Sequence, residues 1–153
     1  MKGFFYLLTT ACMITGCSNL VQKETAANSS PLQGTWKLLT GQLVEKGDTT
    51  VTDYSKDREF IKIINGTHFA FLGHDLHKGQ DSAAFFTAGG GHYSLSDSNY
   101  TEHLEYCNDR AWEQNNFSFT ITFHGDTLIQ RGVEKIDSLG ISRLNIETYV
   151  RQP

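Results

Sequence analysis

Phe117, Phe119, Ile121 and Phe123 alternate with Ser118, Thr120, Thr122 and His124. An apolar side chain at every second position is the signature of a strand with one face buried. Gly125-Asp126 follows as a tight turn into a second run, Thr127–Val133. The same reading predicts strands over Gly34–Val44, Glu59–Ile64, Thr67–Leu72, a stretch near Ala83–Thr87, His92–Leu95, Tyr100–Tyr106 and Leu144–Arg151. Asn65-Gly66 reads as a hairpin turn with positive φ at both central residues. Ser96-Asp97-Ser98-Asn99 reads as another hairpin. Asn108–Asn115 is expected to be a loop or one helical turn, and Gly73–Asp81 a second irregular stretch.

Eight or nine strands joined by short turns predict an all-β fold in antiparallel meander order. Closing such a sheet into an up-and-down β-barrel of about eight strands removes both exposed edges. A two-sheet sandwich is the alternative. Gly89-Gly90-Gly91 suits a bend or bulge where a barrel strand turns a corner. No Lys-Ser/Thr follows these glycines, so they do not read as a phosphate loop.

The beginning of the chain has a different character. Met1-Lys2 is followed by an apolar run, Gly3 to Ile14, too short to cross a bilayer. It ends Ile14-Thr15-Gly16-Cys17, which resembles the lipobox of bacterial lipoproteins. The resemblance implies a signal peptide over residues 1–16, cleavage before Cys17, and lipidation of Cys17. Several acyl chains give a stable membrane anchor where one would be marginal. The alternative is an ordinary secretory signal and a soluble product. Residues 17–31, rich in Ser, Asn, Thr and Ala, read as a flexible tether, leaving 32–153 as the barrel domain.

Composition narrows the function. Ten Phe and six Tyr agree with a sheet-rich fold, and a formal net charge of −4 without a basic run excludes a nucleic-acid role. Loss of residues 1–16 removes one Lys and no acid, leaving 12 basic and 17 acidic side chains, a net of −5. It also removes Cys12, so only Cys17 and Cys107 remain. With Cys17 lipidated, no internal disulfide is expected.

Gly34-Thr35-Trp36 opens the first long strand, and Arg151 ends the last. Gly-x-Trp at that place resembles the lipocalin and wider calycin signature. The resemblance implies that Trp36 closes one barrel end and that Arg151 packs across its ring. Gly89–Leu95, Tyr100–His103, Gly125–Leu128 and Glu147–Arg151 occur in an order similar to lipocalin-like bacterial lipoproteins of unknown function. That likeness implies a fold and a cell-envelope location, with no established activity; Ser18 after Cys17, where an Asp retains some lipoproteins at the inner membrane, points to the outer membrane.

An eight-strand barrel is wide enough for one small ligand. Strand alternation puts Tyr100, Glu102 and Tyr106 on one face, and Glu147, Tyr149 and Arg151 on another. If Arg151 reaches Trp36, Glu147 and Tyr149 point into the lumen. Tyr100, Glu102, Tyr106, Glu147 and Tyr149 are therefore the predicted ligand-binding residues. Buried Glu102 and Glu147 could equally serve a structural hydrogen-bond network. His74-Asp75-Leu76-His77 is the one local histidine cluster, and His92 and His103 could meet across a hairpin. Neither supplies a full ligand set, so no metal, cofactor or catalytic residue is assigned. The expected work is non-catalytic binding of a small hydrophobic or amphipathic molecule by a lipid-anchored envelope protein. The alternatives are a protein-interaction scaffold using Trp112 and the Gly73–Asp81 loop, and an enzyme using Glu102.

Overall fold

The computed structural model describes residues 30–153. The expected signal peptide, Cys17 and nearly all of the tether lie outside the described residues. Nine strands follow one another: β1 (Gly34–Glu45), β2 (Asp48–Asp53), β3 (Arg58–Ile64), β4 (His68–Asp75), β5 (Phe86–Ser96), β6 (Asn99–Cys107), β7 (Asn115–His124), β8 (Thr127–Ile136) and β9 (Ile141–Arg151). In the sheet order β2-β1-β3-β4-β5-β6-β7-β8-β9 each neighbouring pair is antiparallel, and β9 returns to β1. Residues 34–37 of β1 pair with β3, and residues 40–45 pair with β2. β2 and β3 thus share one side of β1, and the result is a closed, up-and-down antiparallel barrel of eight strand positions. Closure through β9 and β1 leaves β2, which pairs with β1 alone, as the one strand with a free edge among the described residues.

Several local expectations change. β2 was absent from the sequence reading, because its Asp-Thr-Thr-Val-Thr-Asp run is exposed on nearly every residue and has no buried face to impose alternation. The predicted pieces at Ala83–Thr87 and His92–Leu95 belong to one strand, β5, which begins only at Phe86. Gly89-Gly90-Gly91 lies inside that strand because backbone ladders to β4 and β6 need no side chains. β4 continues to Asp75, into the stretch expected to be irregular. A Cβ at Gly73 would lie 2.5 Å from the Phe60 ring, so the glycine lets that ring pass. Residues Arg110–Trp112 form the single short 3₁₀ turn of the β6–β7 loop.

Asn65-Gly66 does turn the chain from β3 to β4, but neither residue has positive φ. The Asn65 side chain builds the turn instead, its Oδ1 accepting from the N–H of Thr67 at 2.8 Å and of His68 at 2.7 Å. Both central residues are left-handed in the β1–β2 turn, where Lys46 has φ 52° and Gly47 φ 91°. That is the mirror-image turn whose twist matches a hairpin.

Strand direction alternates, so the turns at 65–67, 97–98 and 125–126 gather at one barrel end. Leu32, Trp36 and Arg151 close that end. The Trp36 indole N–H donates to the Leu32 carbonyl at 2.8 Å. The Arg151 guanidinium lies 4.2 Å from the centre of the Trp36 ring. It also donates to the Gln33 carbonyl at 2.8 Å and to the Pro31 carbonyl. Gly34 is required by this arrangement, because a Cβ there would lie 2.6 Å from Arg151 Nη1. Phe69, Tyr100, Phe119, Ile121, Leu128 and Tyr149 extend the buried core.

Candidate functional site

The other end is ringed by the β1–β2 turn and the β4–β5, β6–β7 and β8–β9 connections. A cavity of about 260 Å³ opens there. Phe60, Phe71, Leu104, Trp112, Phe117 and Phe119 supply its apolar wall. Lys62, Glu102, Gln130, Glu134 and Glu147 supply its polar lining. Apolar walls with a few convergent polar groups are the common form of a small-molecule site. An apolar cavity of about 150 Å³ already takes a benzene ring, and drug-sized ligands need roughly 300–1,000 Å³. The barrel therefore suits a molecule between those sizes.

At the base of the cavity is a buried polar cluster centred on Lys62. Its Nζ donates to Glu102 Oε1 at 2.7 Å and to Gln130 Oε1 at 3.1 Å, with Glu147 Oε2 at 3.8 Å. The ammonium also stands 5.2 Å from the Tyr149 ring centre and 6.0 Å from that of Phe69. Burial works to lower the Lys62 pKa, but the charges of Glu102 and Glu147 outweigh it and hold it above 10.5. Lys62 is thus charged at neutral pH although the residue is 3% exposed. The Tyr149 hydroxyl donates to Glu147 Oε2 at 2.8 Å. Burial, with the nearby carboxylates, pushes the pKa of Tyr149 and Tyr100 far up, so both are neutral phenols.

Strand register explains why these side chains meet. Antiparallel partners directly opposite one another share a face. Trp36 pairs with Lys62, so the face that carries the closing tryptophan also carries the lysine. Glu147 pairs with Gln130 across β8–β9, and Tyr149 pairs with Leu128. On β6, Tyr100, Glu102 and Leu104 are all buried and face the lumen. Four of the predicted ligand-binding residues, Tyr100, Glu102, Glu147 and Tyr149, are therefore together in the barrel.

Tyr106 is the correction. It is 70% exposed on the outer wall. Gly90 pairs with Tyr106 but Gly91 pairs with Leu104, so Glu105 is an extra residue on β6. A one-residue bulge reverses the alternation beyond it. Cys107 takes the inward position instead and lines the cavity. A Cβ at Gly91 would lie 1.9 Å from the His103 carbonyl oxygen, so glycine is what admits the bulge.

A second ion pair stands nearer the mouth. Arg143 donates from Nε to Glu134 Oε2 at 2.7 Å with Nη2 also 2.7 Å from that oxygen, and Asn145 donates to Oε1 at 2.7 Å. Burial raises the Glu134 pKa, and the charge of Arg143 opposes that rise. The Arg143 guanidinium also lies 5.1 Å from the Trp112 ring centre. Trp112 packs on Phe117 at 5.8 Å, and its carbonyl accepts from Asn115 Nδ2 at 2.9 Å. Trp112 is thus part of the cavity wall, not of an exposed docking patch.

The histidines belong to other tasks. His77 Nδ1 meets Asp81 Oδ2 at 2.7 Å in the β4–β5 loop. Asp75 holds that loop by accepting from the N–H groups of Gly79 and His77 at 2.9 Å and Phe85 at 3.0 Å. Those backbone donors, Gly79 first, keep its pKa low. His92 and His103 stack on the outer wall, with ring centres 4.2 Å apart. Among the described residues, no three His, Cys, Asp or Glu side chains converge as a metal site.

Lys62, Gln130, Glu134, Arg143 and Asn145 escaped the sequence reading. In β3 the exposed-looking residue is the buried one: Lys62 points inward while Ile63 is 43% exposed. Only its pairing with Trp36 could have revealed that orientation. Comparison of the chain with models of known protein families and with curated proteins finds no match.

Proposed function

We propose that this protein is a lipid-anchored, lipocalin-like member of the calycin group that binds one small, partly apolar molecule in its barrel. The observation that carries the reading is the cavity of about 260 Å³ between aromatic walls and the Lys62–Glu102–Glu147–Tyr149 cluster. An aromatic body hides about 150–250 Å². At about 25 cal/mol per Å², that burial contributes about 4–6 kcal/mol before the cost of immobilising the ligand. The polar cluster would fix orientation. Lipidation at Cys17 comes from the Ile14-Thr15-Gly16-Cys17 pattern, and an outer-membrane address from Ser18 after it.

Native mass spectrometry of the protein isolated from a bacterial envelope, against its denatured mass, tests the binding reading. A reproducible extra mass that disappears on denaturation is expected. A bare polypeptide from several growth conditions would count against it. Cys17→Ser tests the anchor independently, through loss of acyl mass and release from the membrane fraction.

A second reading has its own support. Leu72, Phe86 and Tyr106 are 41%, 65% and 70% exposed on the outer wall over β4–β6. Such a strip suits a protein partner. Tyr106→Ser with Phe86→Ser should abolish a partner complex and leave lumen binding intact.

A further inference from the structure

The charges facing the cavity do not balance. Glu102, Glu134, Glu147 and Asp109 line it, with Lys62 as the one lining cation. Lys62 is committed to Glu102 and Gln130. Arg143, at the mouth, is committed to Glu134. Arg58, also at the mouth, lies over the rings of Phe85 at 5.3 Å and Tyr54 at 6.0 Å. Glu147 is left with a neutral phenol at 2.8 Å and with Lys62 at 3.8 Å, beyond hydrogen-bond reach. Its side chain keeps 17% of its surface exposed, and it lines the cavity.

One further observation points the same way. The barrel already holds one primary ammonium between carboxylates and aromatic faces, that of Lys62. Electron-rich ring faces and carboxylates both favour a cation and disfavour an anion.

From this we propose that the bound molecule is a small organic amine: an apolar or aromatic body seated on Phe60, Phe71 and Trp112, with a cationic nitrogen paired to Glu147. This rests on the lumen-binding reading and narrows it to a ligand class. A carboxylate ligand would face four acids and no uncommitted cation in the cavity lining. A neutral ligand would leave Glu147 with only the more distant share of the Lys62 charge, at 3.8 Å against 2.7 Å for Glu102.

Three probes of similar shape decide it: phenethylamine, 2-phenylethanol and 3-phenylpropionate, each titrated at pH 7 into the purified full-length chain by calorimetry. The amine and the alcohol have the same number of non-hydrogen atoms. The amine is expected to bind at least about tenfold more tightly than the alcohol, because a hydrogen bond with both partners charged is the stronger kind. 3-Phenylpropionate should bind weakest. In Glu147→Gln, which keeps an acceptor for Tyr149, the ratio of amine to alcohol affinity should collapse toward one. Equal binding of amine and alcohol would overturn the amine assignment and keep the lumen reading. Tightest binding of 3-phenylpropionate would also overturn it and make Lys62 the anchor. No binding of any probe at millimolar concentration would remove both. Should Glu147→Gln fail to fold, the three affinities of the unaltered chain decide alone.

Discussion

Lys62→Met is the substitution on which the description of the barrel interior depends most. Methionine keeps the unbranched stem and removes the charge. Side-chain exposure of Lys62 and Glu102 is 4% and 9%, so water screens the pair little. Breaking a buried pair from one side costs about 3–5 kcal/mol, since the remaining charge is left uncompensated. The Tyr100 hydroxyl, buried and unpartnered, can turn to donate to Glu102 and offset about 1 kcal/mol. The expected loss is therefore about 2–4 kcal/mol, which for a domain of this size lowers Tm by roughly 6–20 °C.

The pH dependence identifies the cause. In the parent chain the Lys62 pKa is raised, so its contribution is complete below 10.5 and is lost only as pH rises through the higher folded value. Between pH 5 and 8 it is flat. In Lys62→Met the orphaned Glu102 acquires a folded pKa above its unfolded one. The folded variant then binds the extra proton more tightly, and its deficit shrinks as the pH falls toward about 4. Urea denaturation of both chains at pH 5 and pH 8 measures this directly. Adding Glu102→Gln should recover at least half of the loss at pH 8 by removing the orphan charge. A deficit below about 1 kcal/mol at pH 8, or one equal at both pH values, would refute the argument.

Three other outcomes are expected. Arg151→Ala removes the stack on Trp36 and two hydrogen bonds to carbonyls, costing about 2–4 kcal/mol in urea denaturation. Arg151→Lys should recover less than half, since an ammonium cannot both stack and fork, and full recovery would refute the stacking account. Gly91→Ala, with its Cβ 1.9 Å from the His103 oxygen, should cost at least about 2 kcal/mol and alter the accessibility of Cys107. Unchanged stability and thiol reactivity would show that the bulge needs no glycine. Glu134 has a folded pKa above 4.5, so its contribution to stability is greatest below 4.5 and falls as pH rises through the raised value. The Tm difference between the parent chain and Glu134→Gln should follow that fall across the same window. A rising difference would mean that Arg143, not burial, controls this carboxyl.

Much of the architecture was legible because it is written locally. The alternation in Phe117–His124, the turn at Gly125-Asp126 and the succession of hairpins each depend on residues within a few positions. Together they are enough to predict a closed antiparallel meander. Even the Asn65-Gly66 turn was found, although its geometry was misjudged, because an asparagine side chain can build a turn in more than one way. β2 was missed for the opposite reason. An exposed strand carries no buried face, and its existence rests on the ladder it forms with β1.

Facing was the harder matter. A period of two states that a strand has two sides, but one shift of register exchanges them. Tyr106 and Cys107 exchange places because Glu105 bulges from β6 opposite Gly90 and Gly91, and that bulge is a property of two strands together. Lys62 looks solvent-facing among three isoleucines, yet its pairing with Trp36 turns it inward. The sequence by itself determined the strand-rich chain and the order of its hairpins. Tertiary structure alone decided which side chains share the lumen. The reason is physical: the buried face of each strand is set by register with its neighbours, and a buried lysine is tolerable only where distant strands deliver Glu102, Glu147 and Gln130 to meet it.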